Sequence, residues 1–304
     1  MNGLEEAKLL YEQRGKDMLH TCFPEYEGRI AVGLAGHGSE CFGYDDELSR
    51  DHDFEPGFCL WLTDEDDIHI GPRLARSYRE LTGRGTVLKS AMGEKKLGVL
   101  RISDFYRRYT GCPGAPESAE HWLSLPSWAL AEATNGQVWQ DDLGEFTAIR
   151  NTLLHGMPED VRLKKIAARA VEMAQSGQYN YLRCLRHGET GSAQLALTEF
   201  VRSSCSMIFL LNCRHEPYYK WVFRAMAELD KLSSLKDALE FLLLGENDSK
   251  LKEGVIEDIC ASVIAEMRAQ ELTDSSSDYL EDHAFEAQER ITSRSIRAMH
   301  IMEG

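Results

Sequence analysis

No uninterrupted apolar run in this 304-residue chain exceeds five residues, Met207–Leu211 being one such run. A membrane-spanning helix needs roughly 20, so none is expected. The opening residues, Met1-Asn2-Gly3-Leu4-Glu5-Glu6, lack the basic-then-apolar order of a secretory signal, and a cytoplasmic location is the expectation. Basic charge is scarce: 34 Lys and Arg face 50 Asp and Glu, for a formal net charge of −16 and a pI near 5.1. Binding to nucleic acid through non-specific phosphate contacts is therefore disfavoured. A nucleotide is still admissible, because phosphates that arrive with magnesium bring positive charge with them. Paired cysteines are missing too. The eight, at 22, 41, 59, 112, 184, 205, 213 and 260, form no C-x-x-C step, and they read as ordinary reduced thiols.

What is present suits a soluble globular protein: 43% hydrophobic and 28% charged residues, with length enough for two domains. Residues 3–20 carry helical periodicity (Leu4, Ala7, Leu10, Tyr11, Met18). Short apolar runs within Arg29–Leu34, Phe54–Leu62 and Leu97–Ile102 predict strands, the Asn135-Gly136 turn precedes a final short strand at Gln137–Gln140, and helices are expected over Ile70–Leu81 and Trp122–Ala133. Thr63–Asp67 reads as a solvated acidic turn. From Phe146 onward helical segments follow one another, over 159–176, 192–211, 217–230, 234–244 and 251–271, with a polar break at Thr273–Asp278 and a tail read as an exposed or partly disordered helix. The fold class expected is α+β: a mixed sheet with flanking helices over residues 1–145, then an all-helical domain over 146–304.

The chemistry concentrates in one stretch. A strand runs into Gly36-His37-Gly38-Ser39, and about a dozen residues later come Ser49-Arg50-Asp51-His52-Asp53. Positions i and i+2 of a strand share a face, so Asp51 and Asp53 can clamp the same magnesium pair. Two metals held this way activate an attacking oxygen and neutralise a leaving pyrophosphate. The small residues at 36 and 38 let the backbone approach phosphates, and the Ser39 hydroxyl can donate to one. In the helical half, Tyr219 can stack on a base or sugar and Lys220 can meet a triphosphate. Gln175–Arg183 reads either as a cleft lining or as a polar helix-to-helix turn.

Gly38-Ser39 followed by Asp51-x-Asp53 resembles the signature of the nucleotidyltransferase superfamily, which includes aminoglycoside adenylyltransferases and the small nucleotidyltransferases of toxin–antitoxin systems. The wider wording, Gly38-Ser39-Glu40-Cys41-Phe42-Gly43-Tyr44-Asp45-Asp46-Glu47, Ser49–Asp53 and Gln175-Ser176-Gly177-Gln178-Tyr179-Asn180-Tyr181, resembles a bacterial family known only as a domain of unknown function. The resemblance implies transfer of a nucleoside monophosphate from a triphosphate, ATP by preference, to a hydroxyl acceptor, with a small molecule as the expected acceptor. Asp51 and Asp53 would hold Mg2+. Gly38, Ser39, Arg50, Tyr219 and Lys220 would bind nucleotide. A third carboxylate, as ligand or base, is assigned to Asp104 of Arg101-Ile102-Ser103-Asp104-Phe105-Tyr106-Arg107-Arg108, with Asp141 and Asp142 as competitors and a helix cap as the plain alternative for Asp104. Two other readings stand beside it. One is a catalytically silent module that binds nucleotide or a partner. The other adds a ribonuclease-like helical domain through Arg150 and His155, where His155 also suits a helix C-terminus. Oligomeric state is left open.

Overall fold

The computed structural model describes residues 1–46, 57–83, 97–245 and 248–304. The chain forms two compact units, one of Met1–Pro116 with Trp128–Gly156, the other of Glu117–Ser127 with Met157–Gly304.

In the first unit, helices α1 (Gly3–Leu10) and α2 (Lys16–Cys22) are joined by a wide helical turn over Tyr11–Gly15. Strand β1 (Ala31–Leu34) then leads to the short helix α3 (Ser39–Phe42). Next come β2 (Cys59–Leu62), α4 (Asp64–Thr82), β3 (Gly98–Arg101) and α5 (Ile102–Thr110). Helix α6 (Ala119–Ser124) lies in the other unit. Helix α7 (Ser127–Thr134), β4 (Gln137–Gln140) and α8 (Glu145–His155) complete the first. Among the described residues the strands make one mixed sheet, ordered β3-β2-β1-β4, with β1 antiparallel to β2 and β4 and β2 parallel to β3. This is the α+β class expected.

Both faces of the sheet are covered, which is why Phe58–Leu62 reads as a continuous apolar run and is buried throughout. Leu60 and Leu62 join Tyr11, Leu19, Phe23, Ile70 and Leu74 in one cluster. Trp61, pointing the other way, stacks on Phe146 of α8 at 4.0 Å between ring centroids and meets Phe105 of α5 edge-on at 5.5 Å.

Thr63–Asp67 departs from the expected solvated turn. Thr63 caps α4 by accepting from the Asp66 backbone N–H at 3.0 Å, and Asp64 to Asp67 form the first helical turn. Acids there oppose the exposed N–H groups of the helix start. Asp66 is buried, and the Arg29 guanidinium donates Nε–H to it at 3.0 Å. The segment Trp122–Ala133 is likewise two helices, broken at Leu125-Pro126.

The second unit is helical, as expected. It holds α9 (Glu159–Met173), a wide helical stretch Ala174–Tyr181, α10 (Leu182–Arg186) and α11 (Thr190–Leu211), then α12 (Val222–Met226), α13 (Lys236–Leu244), α14 (Ser249–Ala269), α15 (Leu280–Glu289) and α16 (Arg294–Arg297). Helix α9 is central, with Val161, Ile166, Ala167, Ala170 and Met173 fully buried. The tail is core and not an exposed or disordered appendage. Leu280, Ala284, Ala287, Ile291 and Ile296 are all at 0% exposure. The buried Lys164 of α9 donates to the Gln288 side chain and to the carbonyls of Met299 and His300 at 2.8, 3.2 and 2.7 Å. The apolar spacing of 280–296 is hidden among many charges, so its burial was not evident from composition.

Two outcomes are expected. Leu280→Ala should cost about 2–5 kcal/mol of unfolding free energy, the range for emptying a packed leucine site. It would be read as a fall in the urea midpoint, and a midpoint equal to wild type would contradict the tail's place in the core. The second concerns Glu216. Burial pushes its carboxyl up to about 7, with Ser206, Arg169 and Arg202 pulling the other way. A folded value above the ordinary 4.5 means the folded state holds an extra proton between those two values. The associated stability is complete below the lower value and lost as pH rises through the upper one. Glu216→Gln should flatten that decline in thermal midpoint between pH 5 and 7.5.

Candidate functional site

The end of β1 is where the described structure gathers polar groups around backbone with few side chains. The register pairs Gly33 with Cys59 and Leu34 with Gln137. The edge at which β1 leaves the sheet is thus the edge at which β2 and β4 enter it. Gly36 and Gly38 sit at φ 115° and 133°, a region that side chains rarely adopt. The Asn135 side chain brackets Gly36, accepting its N–H at 2.8 Å and donating to its carbonyl at 2.8 Å. Beside it, Gly136 passes so close to β1 that an added Cβ would lie 1.9 Å from the Leu34 carbonyl oxygen. Arg150 of α8 donates to the Thr134 carbonyl at 2.6 Å and reaches those of Asn135 and Gly136 at 3.4 Å. Burial pushes its guanidinium below the usual range. Arg150 is therefore committed to holding the 134–136 turn, while His155 is exposed at the C-terminal end of α8.

His37 lies between the two glycines. Its Nδ1 is 3.1 Å from an oxygen of Glu132 on α7. The carboxylate is buried, at 8% side-chain exposure, whereas the imidazole is 65% exposed. Behind them Tyr109 of α5 hydrogen-bonds the His37 backbone, and burial followed by the Glu132 charge pushes its phenol up. The Glu40 carboxylate lies against Gly38, and the Cys41 thiol points to the His37 carbonyl at 3.8 Å. Asn135, Glu132, Tyr109 and Arg150 were missed as partners of this turn. Only Asn135-Gly136 carried a signal, as a turn dipeptide.

Of the residues expected in the site, Gly38 and Ser39 stand at this edge, Gly38 as the residue before α3. Arg50, Asp51 and Asp53 lie outside the described residues. Asp104 is not brought to the same edge. It follows the far end of β3, a strand length or roughly 10 Å away, in the first turn of α5. There the carboxylate is shared by Arg101 at 2.7 Å and Arg107 at 2.9 Å. Its neighbour Ser103 donates to Asp64 at 2.5 Å. The competitors do not come there either: Asp141 follows β4 at that far end and accepts the N–H groups of Gly144 and Thr147 at 3.1 and 2.7 Å, and Asp142 is next to it.

In the helical unit, Tyr219 is 74% exposed with its ring 4.4 Å from that of Tyr218, and the Lys220 ammonium lies 4.9 Å over Trp221. Gln175 and Gln178 bracket the start of α15. Gln178 accepts the Leu280 N–H at 3.0 Å and donates to Glu257 at 2.8 Å, and Gln175 donates to Glu281 at 3.1 Å. The polar wording of that stretch thus serves packing within the helical unit.

A family model, for a domain of unknown function (DUF4037), matches residues 122–222. No curated protein matches the chain. Among solved structures, the chain is similar to a nucleotidyltransferase-like protein from Exiguobacterium sibiricum 255-15, at 13% identity and a TM-score of 0.37, over 92% of this chain and 81% of that one.

The bracket itself is testable. Asn135→Ala removes both hydrogen bonds to Gly36 and should cost about 1–3 kcal/mol. Amide exchange at Gly36 should quicken selectively. Unchanged exchange there would show that the turn is held by other contacts.

Proposed function

We propose that the chain is a magnesium-dependent nucleotidyltransferase that moves a nucleoside monophosphate from a triphosphate, ATP by preference, to a hydroxyl of a small molecule. One observation carries the reading. The antiparallel pairing of β1 with β2 puts the Gly36–Ser39 turn at the edge where Gly57 and Phe58 lead into β2. The Asp51-x-Asp53 pair stands a few residues upstream of that entry in the sequence. A bare glycine backbone and two hard carboxylate donors a short way along the chain from the paired strand are what a magnesium-bound triphosphate requires.

In this scheme Asp51 and Asp53 hold magnesium, which when bound neutralises phosphate charge and favours loss of the hydroxyl proton. The Ser39 hydroxyl donates to a phosphate oxygen, while the N–H groups of Gly36 and His37 stay with Asn135 and Tyr109. The acceptor oxygen bonds to the α-phosphorus, the bond from that phosphorus to pyrophosphate breaks, and the hydroxyl proton leaves to base or solvent. Asp104, held by its two arginines past the far end of β3, is left out of this scheme.

Asp51→Asn and Asp53→Asn should each reduce pyrophosphate release from magnesium-ATP by at least a hundredfold. Both should also lose the stabilisation that the nucleotide confers on wild type in thermal unfolding. The substrate search pairs each triphosphate with pools of small metabolites and follows new adducts by mass. Full turnover by either variant would overturn the two-metal scheme.

A further inference from the structure

We propose that His37, oriented by the buried Glu132, is a phosphate-binding residue of the Gly36–Ser39 turn, contacting the nucleotide's phosphate chain through Nε2–H. The inference rests on the nucleotide-binding part of the function proposed above and not on the transfer step.

Burying a carboxylate is costly unless a donor or positive charge meets it. Glu132, at 8% side-chain exposure, meets the Nδ1 of His37 at 3.1 Å. Since a carboxylate only accepts, Nδ1 carries the proton of that bond and the ring is fixed by it. That leaves Nε2, across the ring, as the atom free to meet a ligand. Among the described residues no hydrogen bond to Nε2 is formed, and the ring is 65% exposed. The neighbours on either side are glycines at positive φ, so no adjacent side chain shields it. The backbone beneath is held by the Asn135 bracket and by Tyr109. An exposed imidazole so firmly oriented, two residues before the serine read as a phosphate contact, has the geometry of a ligand-facing group. A core histidine would be covered.

Donor counting then sets the pH dependence. With Nδ1–H given to Glu132, Nε2 carries a hydrogen only in the imidazolium. Contact with phosphate oxygens therefore needs the charged ring. A histidine acting as a base toward the acceptor hydroxyl needs the neutral one, and the two roles predict opposite slopes. The other titratable or charged groups near this turn are Tyr109, on the His37 backbone, Arg108, which acts on Tyr109, Glu40, against Gly38, and Cys41, whose thiol points to the His37 carbonyl. The pH series is accordingly read as the ratio of wild type to His37→Gln, in which contributions from those groups and from phosphate itself cancel.

The experiment titrates the full chain with inorganic tripolyphosphate, with ATP and with adenosine, in magnesium, from pH 5.5 to 8.5. Wild type should bind tripolyphosphate and ATP roughly tenfold or more tighter than His37→Gln at pH 5.5, the loss expected for a charge-assisted contact. That ratio should decrease as pH rises through the series, with adenosine affected equally little in both. Glu132→Gln keeps an acceptor for Nδ1–H and should retain most of the advantage at pH 5.5, whereas Glu132→Leu should lose it. Equal tripolyphosphate affinity in wild type and His37→Gln across the series overturns the inference, as does failure of wild type to bind tripolyphosphate. An ATP turnover that rises with pH only when His37 is present, with binding unchanged, overturns it in favour of a base. If the binding pattern holds while no transfer is found, the phosphate contact stands and the transferase reading falls. If transfer depends on Asp51 and not on His37, the reverse holds.

Discussion

Two hydrogen bonds between the Asn135 carboxamide and the Gly36 peptide tie the exit of one strand to the entry of another. Much at that edge depends on this bracket. Gly136 can follow Asn135 only because it has no side chain to strike Leu34, and the carbonyls of 134–136 can face inward only because Arg150 supplies donors. The outcome is a turn whose backbone is held in place before any ligand arrives. Fixing dipoles in advance avoids an ordering cost at the moment of binding, which is how sites built on backbone gain strength.

The sheet behind the turn is equally constrained. Trp61 fills the space between α5 and α8 against Phe105 and Phe146, and its indole Nε1 is buried with no hydrogen-bond partner among the described residues. An unmade bond of that kind costs about 1–3 kcal/mol, so the aromatic packing must more than offset it. Tyr106 avoids the same cost by donating to the Phe146 carbonyl at 2.8 Å. Stiffness on this face and a packed hydrophobic cluster on the other leave the loop edge as the part of the sheet free to differ in chemistry.

Strands β1, β2 and β3 were legible as short apolar runs bounded by turn residues, β4 from the Asn135-Gly136 turn before it, and α9, α11 and α14 because their periodicity is long. What escaped was set by tertiary context. Thr63 to Asp67 looked solvated because acids usually are. Only the partner Arg29, distant in sequence, makes Asp66 a buried residue. Asp104 looked like a third carboxylate because strand-end acids often serve that way. The edge on which a strand ends depends on parallel pairing of β3 with β2, and no local signal carries that. His37 went unremarked between its glycines, since its significance comes from Glu132, 95 residues further along.

The division of the chain has a consequence for anyone who would take the protein apart. Residues Glu117–Ser127 lie with the helical unit, while Trp128–Gly156 return to complete the sheet unit with β4 and α8. A single cut cannot separate the two, because any contiguous N-terminal fragment that includes β4 also carries α6, a helix belonging elsewhere. One that stops before α7 lacks Asn135, and with it the bracket on Gly36. Recombination or gene shuffling between relatives would thus tend to inherit both units together, and a natural break point would have to excise 117–127 as well.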